Sequence, residues 1–136
     1  MKVRCVRLLD KSGREQTSSA WLTVGRVYVV LSLYVASDGN SVQIMGDQGP
    51  GPGIYRLDQF ELVDGSIPAI WVASKMPRGN GLSLEPAAWA PVGFWDKYFD
   101  GDPEARAVFQ QVLAKLTSDE PMDTVTIAEG RSNNAG

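Results

Sequence analysis

Residues 21–40 read WLTVGRVYVVLSLYVASDGN. Leu22 and Val24 precede Gly25, and Val27, Val29, Leu31 and Leu33 then alternate with Tyr28, Val30, Ser32 and Tyr34. A period of two in β-branched and aromatic residues predicts one long strand. Asp38-Gly39-Asn40 predicts the tight turn that ends it. Upstream, KVRCVRLL (2–9) alternates with Val3 and Cys5 on one side and predicts a first strand, followed by the polar loop DKSGREQTSS (10–19). Downstream, SVQIMGD (41–47) predicts a third strand with Val42 and Ile44 on one face.

The stretch GDQGPGPGIYRL (46–57) raises the question of a phosphate site. A phosphate loop of the Walker type needs Lys followed by Ser or Thr at a helix start, and neither is present. A dinucleotide fingerprint needs a helix directly after the glycines, and Pro50 and Pro52 forbid one. The stretch therefore predicts a turn, its glycines supplying positive φ and its prolines stiffness. Ile54 and Tyr55 then predict a short strand, LDQF (57–60) a 3₁₀ turn, and Glu61–Val63 a last strand.

Strands of this length with nothing helical between them predict an α+β fold that begins with a small five-stranded antiparallel β-barrel over residues 2–64. WLTVGRVYVVL, VQIMGDQG and YRLDQFELV resemble the pattern of Src-homology-three-like barrels: Leu-Thr-x-Gly-Lys-x-Tyr-x-Val, a strand ending in Asp-x-Gly, then an aromatic, a 3₁₀ turn and Phe-Glu. Arg26 stands where that pattern has lysine.

After residue 65 the texture changes. Trp71 and Val72 predict a short added strand or an extended apolar segment, Pro86–Ala90 one helical turn, and Val92–Phe99 a short aromatic helix. Asp102-Pro103-Glu104 is a helix start: N-cap, proline at the first position, acid in the first turn. Ala105, Val108, Phe109, Val112, Leu113 and Leu116 trace one face of a helix over 103–116. Residues 1–117 are expected to form one domain, barrel first and helices last, and 118–136, polar and rich in Gly, Ser and Asn, a disordered tail.

Composition removes several functions. The apolar share of 43% supports a real core. Histidine is absent, so histidine-based triads and Cys/His zinc sites are excluded for a single chain. Cys5, the lone cysteine, is expected as a small buried residue of the first strand. No apolar run approaches the roughly 20 residues of a membrane span, and no signal-peptide core is apparent, so a cytoplasmic protein without a membrane partner is expected. Net charge is −3, but residues 84–136 carry four Lys/Arg against nine Asp/Glu. That acidic C-terminal third argues against nucleic acid as the main partner and for a basic protein.

Candidate sites follow. GFWDKYFDGDPE (93–104) sets Phe94, Trp95, Tyr98 and Phe99 beside Asp96, Asp100, Asp102 and Glu104. Aromatic anchors with an acidic rim predict a partner-binding surface of Trp95, Asp96, Tyr98, Asp100 and Glu104. At helical spacing, half of the rings must also fasten the helix to the barrel. DGDPE is too short for a calcium loop, so no metal and no cofactor is expected. Trp21, Tyr28, Tyr34 and Tyr55 could line an aromatic groove for proline-rich peptides, which the basic loop 11–19 suits poorly. Lys2, Arg4, Arg7, Lys11, Arg14 and Arg26 could form a basic face for single-stranded nucleic acid, the alternative reading.

No catalytic constellation survives, so no enzyme is expected. The barrel followed by LSLEPAAWAPVGFWDKYFDGDPEARAVFQQVLAKL, above all GFWDKYFDGDPEA, resembles the immunity proteins of bacterial polymorphic-toxin and contact-dependent growth inhibition systems. That resemblance implies a cytoplasmic protein that binds a cognate toxin domain and blocks it.

Overall fold

The structure, a computed structural model, describes residues 1–76 and 79–118. Of the tail expected over 118–136, all but Ser118 lies outside them. Eight strands precede the helices: β1 (Lys2–Cys5), β2 (Val27–Val29), β3 (Ser32–Ala36), β4 (Gly39–Ile44), β5 (Gly53–Arg56), β6 (Phe60–Asp64), β7 (Trp71–Lys75) and β8 (Leu82–Pro86). A 3₁₀ turn at Leu57–Gln59 links β5 to β6, and a second at Ala87–Trp89 leads to α1 (Phe94–Phe99) and α2 (Pro103–Thr117).

The strand expected through residues 27–34 is divided, and the division sets the architecture. Val30 and Leu31 are both buried, which one straight strand of period two does not allow on a single face. The chain instead changes partner between them. The Val30 amide donates to the Met1 carbonyl at 3.0 Å, and the Leu31 amide donates to the Gln43 carbonyl at 2.8 Å. β2 thus belongs to a three-stranded sheet of order β2-β1-β6, and β3 to a five-stranded sheet of order β5-β4-β3-β8-β7. All strand pairs are antiparallel. The molecule is α+β with two antiparallel sheets and C-terminal helices, and the sheets are not closed into a barrel. β7 takes up the first of the two readings of Trp71 and Val72, a short added strand, and its unexpected hairpin partner β8 pairs with β3, Leu33 opposite Leu84. β8 occupies residues 82–86, where the sequence pointed to no strand. Leu82-Ser83-Leu84-Glu85 does alternate, but over too few residues to stand out, and pairing on both edges sets its burial against the alternation, with Ser83 buried and Leu82 exposed.

Two apolar clusters result. Val3, Cys5, Leu22, Tyr28, Val30, Val42 and Ile44 form one between the sheets, with Trp71. Leu31, Trp89, Tyr98, Ala105, Phe109 and Val112 form the other, beneath the helices. Ile70 and Leu116 pack against both. Adjacent residues Val30 and Leu31 therefore feed different clusters, the consequence of the partner change. α2 presents the expected face, with Ala105, Phe109 and Val112 buried. Trp89 stacks on Phe109 at 5.0 Å between ring centroids, which fastens the 3₁₀ turn to α2. Cys5 is buried, as its place in β1 suggested.

Candidate functional site

α1 begins after Gly93, whose φ of 87° lets the chain turn sharply from Pro91 into the helix. Its aromatic residues divide by face. Tyr98, 2% exposed, lies 4.8 Å from the Phe109 ring, and half-buried Trp95 meets Trp89 at 5.5 Å. Both rings tie α1 to α2 and the core. Arg106 of α2 locks the pair: its Nε donates to the Tyr98 carbonyl at 3.0 Å, and its guanidinium sits 4.7 Å over the Tyr98 ring. Of the five residues expected to meet a partner, Asp96, Asp100 and Glu104 are exposed, whereas Tyr98 belongs to the core and Trp95 mostly so. Asp96 and Asp100 stand one turn apart, the Asp100 amide donating to the Asp96 carbonyl. Between them in sequence is Phe99, 62% exposed, the ring that the expectation left out. Asp102 is occupied as N-cap, accepting from the Ala105 amide at 2.9 Å.

Phe99 and Tyr98 form one wall of a cavity of about 680 Å³. The rest of the lining comes from Leu8–Lys11, Trp21 and Leu22 and from the loop Gln48–Gly53 with Ile54 and Tyr55. Trp21 is 49% exposed and Ile54 60% exposed. Large apolar side chains left open around one concavity mark a contact surface more often than scattered exposed residues do.

The glycine-rich loop can now be explained. A Cβ on Gly46 would lie 2.8 Å from the Tyr55 hydroxyl and 3.1 Å from the Trp21 carbonyl. One on Gly49 would lie 3.3 Å from the Trp21 ring, and Gly49 has φ of 93°. Glycine is needed because aromatic residues press on the backbone, more than for positive φ throughout; Gly49 alone of the loop's glycines has it. The loop is a wall packed against rings.

Asp47 holds that wall in place. Its carboxylate accepts from Thr23 Oγ1 at 2.6 Å, Arg26 Nη1 at 2.7 Å and the Tyr28 hydroxyl at 2.8 Å. The Tyr28 hydroxyl in turn accepts from the Thr23 amide at 2.9 Å, and the Asp47 amide donates to the Trp21 carbonyl at 2.8 Å. Burial alone would raise the Asp47 pKa, but the three donors and the Arg26 charge together hold it below its ordinary value. Tyr28 shifts the other way: burial raises its hydroxyl pKa, and the Asp47 charge adds to that.

The other groupings read from sequence separate in space. Tyr28 is buried, Tyr55 lines the cavity with Trp21, and Tyr34 lies across the sheet from Ser41 and Ser83. Burial, then the charge of Glu85, push Tyr34 up to about 12. Glu85 is also raised by burial, opposed by a hydrogen bond with Ser83. Half of the basic face is engaged: Arg4 pairs with Glu61 at 3.0 Å, Arg26 with Asp47, and Arg7 Nη1 donates to the Asp58 carbonyl. Among the described residues, no three His, Cys, Asp or Glu side chains gather as metal ligands, and no helix is long and apolar enough to cross a membrane.

Sequence reasoning missed Asp47, Lys11, Phe99 and Arg106 as parts of one site. Asp47 meets donors 19 to 24 positions upstream, a separation that no local pattern reveals. In comparisons with known proteins, no family model, no curated protein and no solved structure matches this chain.

Proposed function

We propose that this chain is a non-catalytic binding protein, an immunity protein that neutralises a cognate bacterial toxin domain in the cytoplasm by covering it. The observation that carries the reading is Phe99, open to solvent on α1 between Asp96 and Asp100 and at the edge of a preformed cavity. An apolar anchor in an acidic rim suits a basic partner: the ring supplies contact area, and the acids speed encounter. Many toxin domains that cut nucleic acid carry such a basic surface. The proposed contact residues are Asp96, Asp100 and Glu104 around Phe99, with Trp95 and Tyr98 holding the helix beneath them.

We also take the two sheets as the halves of a Src-homology-three-like barrel with an added hairpin. In support, one continuous segment, Val27–Ala36, contributes to both sheets, and the 3₁₀ turn Leu57–Gln59 delivers β6 back beside β1.

The test is capture with tagged full-length chain from the source cell, followed by expression of the captured partner alone and together with this chain. A stoichiometric partner that arrests growth alone and is harmless in co-expression is the expected result. Recovery of nucleic acid without protein, or of a partner with no effect on growth, overturns the immunity reading. The basic-face alternative is weakened by the matching of Arg4, Arg7 and Arg26 described above.

A further inference from the structure

We propose that the cavity between Trp21, the Gln48–Gly53 loop and Phe99 is a peptide site, taking an extended partner segment with an aromatic or aliphatic side chain next to a carboxylate. The inference rests on the protein-binding reading and names the chemistry of the segment bound.

Three features argue for it. The first is shape: about 680 Å³ falls within the about 300–1,000 Å³ of sites that enclose a ligand. Its walls are Trp21, Tyr55, Phe99 and loop prolines. The second is rigidity. Asp47 ties the segment 21–23 to the loop, and Arg106 ties α2 to α1, so both walls are set before a ligand arrives.

The third is charge. Lys11, Arg56, Arg106 and Asp10 line the cavity. The Asp10 carboxylate is occupied by the Ser12 hydroxyl at 2.6 Å and the amides of Ser12 and Arg14. Arg56 is matched by Asp58 at 2.6 Å. Lys11 and Arg106 have no ion pair among the described residues. Asp10 bonds only neutral donors and keeps its charge, so Lys11 and Arg106 leave the lining one positive charge in excess, and a cation in excess beside an apolar wall calls for a carboxylate beside an apolar group. The same charges would also attract a nucleic-acid strand, but a strand carries a phosphate at every nucleotide and would run against Asp96, Asp100 and Glu104 on the two helices, whereas a single carboxylate can stay at the Lys11 end of the cavity, away from those acids.

The experiment is selection of random linear peptides displayed on phage against the immobilised full chain. Affinities of the best peptide then follow by fluorescence polarisation. Lys11→Glu removes a cation whose exposed side chain makes no hydrogen bond or ion pair among the described residues, so the fold does not depend on it; Phe99→Ala removes the open ring. The expected result is enrichment of peptides with Asp or Glu next to Phe, Trp, Leu or Ile. Each substitution should then weaken binding by about tenfold or more. Replacing the peptide acid by lysine should restore binding to Lys11→Glu. No enrichment, enrichment of basic peptides, affinities indifferent to both substitutions, or tighter binding of oligothymidine that Lys11→Glu abolishes would each overturn the proposal. A toxin held equally well by both variants leaves the immunity reading standing and removes this one. Acidic-apolar peptides bound without any growth-arresting partner do the reverse.

Discussion

Replacing Asp47 is the sharpest probe of how the site is built. Its carboxylate accepts three hydrogen bonds, from Thr23, Arg26 and Tyr28, while only 15% of the side chain is exposed. A hydrogen bond to a charged group contributes about 1.5–3 kcal/mol when shielded. Arg26 is 55% exposed, so its share falls to about 0.5 kcal/mol. Taking about 1.5 kcal/mol for buried Tyr28 and about 1 kcal/mol for exposed Thr23, Asp47→Ala should cost about 3 kcal/mol, equivalent to a melting temperature lower by roughly 10 °C in a chain of this size. Asp47→Asn keeps the shape but turns one donor against the hydroxyls, and should cost about half as much. Equilibrium urea unfolding, followed by tryptophan fluorescence, measures both.

The pH dependence gives a second reading of the same residue. The folded pKa lies below the ordinary 3.8. The stabilisation is therefore complete above that value and disappears as pH falls through the lower folded pKa. The gap between the native protein and Asp47→Asn should close in that acid window and stay constant near neutrality. Tyr28→Phe removes the hydroxyl that joins Thr23 to Asp47, so its loss and that of Asp47→Asn should fall short of additivity. A cost for Asp47→Ala within about 0.5 kcal/mol of zero, or a gap unchanged by acid, would refute the hub.

Glu85→Gln should raise stability at pH 7, because burial raises the Glu85 pKa above its ordinary 4.5 and charging it opposes folding. The gain should vanish below pH 4.5, where the native carboxyl is neutral, and thermal melts at both pH values decide. Tyr34 is held up to about 12, so its contribution is full below the ordinary 10 and lost as pH rises through 12; absorbance titration should show one tyrosine ionising that late. Phe109→Ala should cost about 3–5 kcal/mol by opening a cavity under Trp89 and Tyr98. Trp89→Phe should cost far less, about 1–2 kcal/mol, because it removes less volume and the Trp89 Nε1 has no hydrogen-bond partner among the described residues. Charge reversal at Asp96 and Asp100 should slow association with a basic partner and flatten its salt dependence, leaving dissociation little changed. Stopped-flow rates at two salt concentrations test this.

Local signals in this chain settle whatever depends on neighbours a few residues apart. The N-cap at Asp102, the proline behind it and the spacing of Ala105, Phe109 and Val112 announce α2 nearly to the residue, because capping and a single buried face need no distant partner. The alternation around Val42 and the 3₁₀ turn at Leu57–Gln59 were legible for the same reason. So was the turn at 46–53, since proline in that place forbids a helix.

Tertiary packing decided the rest. Nothing in VYVVLSLY marks where the strand changes sheets; that follows from which neighbour, Met1 or Gln43, receives each amide. Strand β8 exists because β3 and β7 pair with both its edges. Trp95, Tyr98 and Phe99 look equivalent in sequence, yet the stacking of Trp89 on Phe109 draws the first two inward and leaves the third at the rim of the cavity. The cavity joins residues 8–22, 48–59 and 98–106, which lie up to about a hundred positions apart, and its charge depends on which cations are already paired. Short-range propensity acts along the chain, whereas burial and ion pairing act through space, so the elements could be read in order and the site could not.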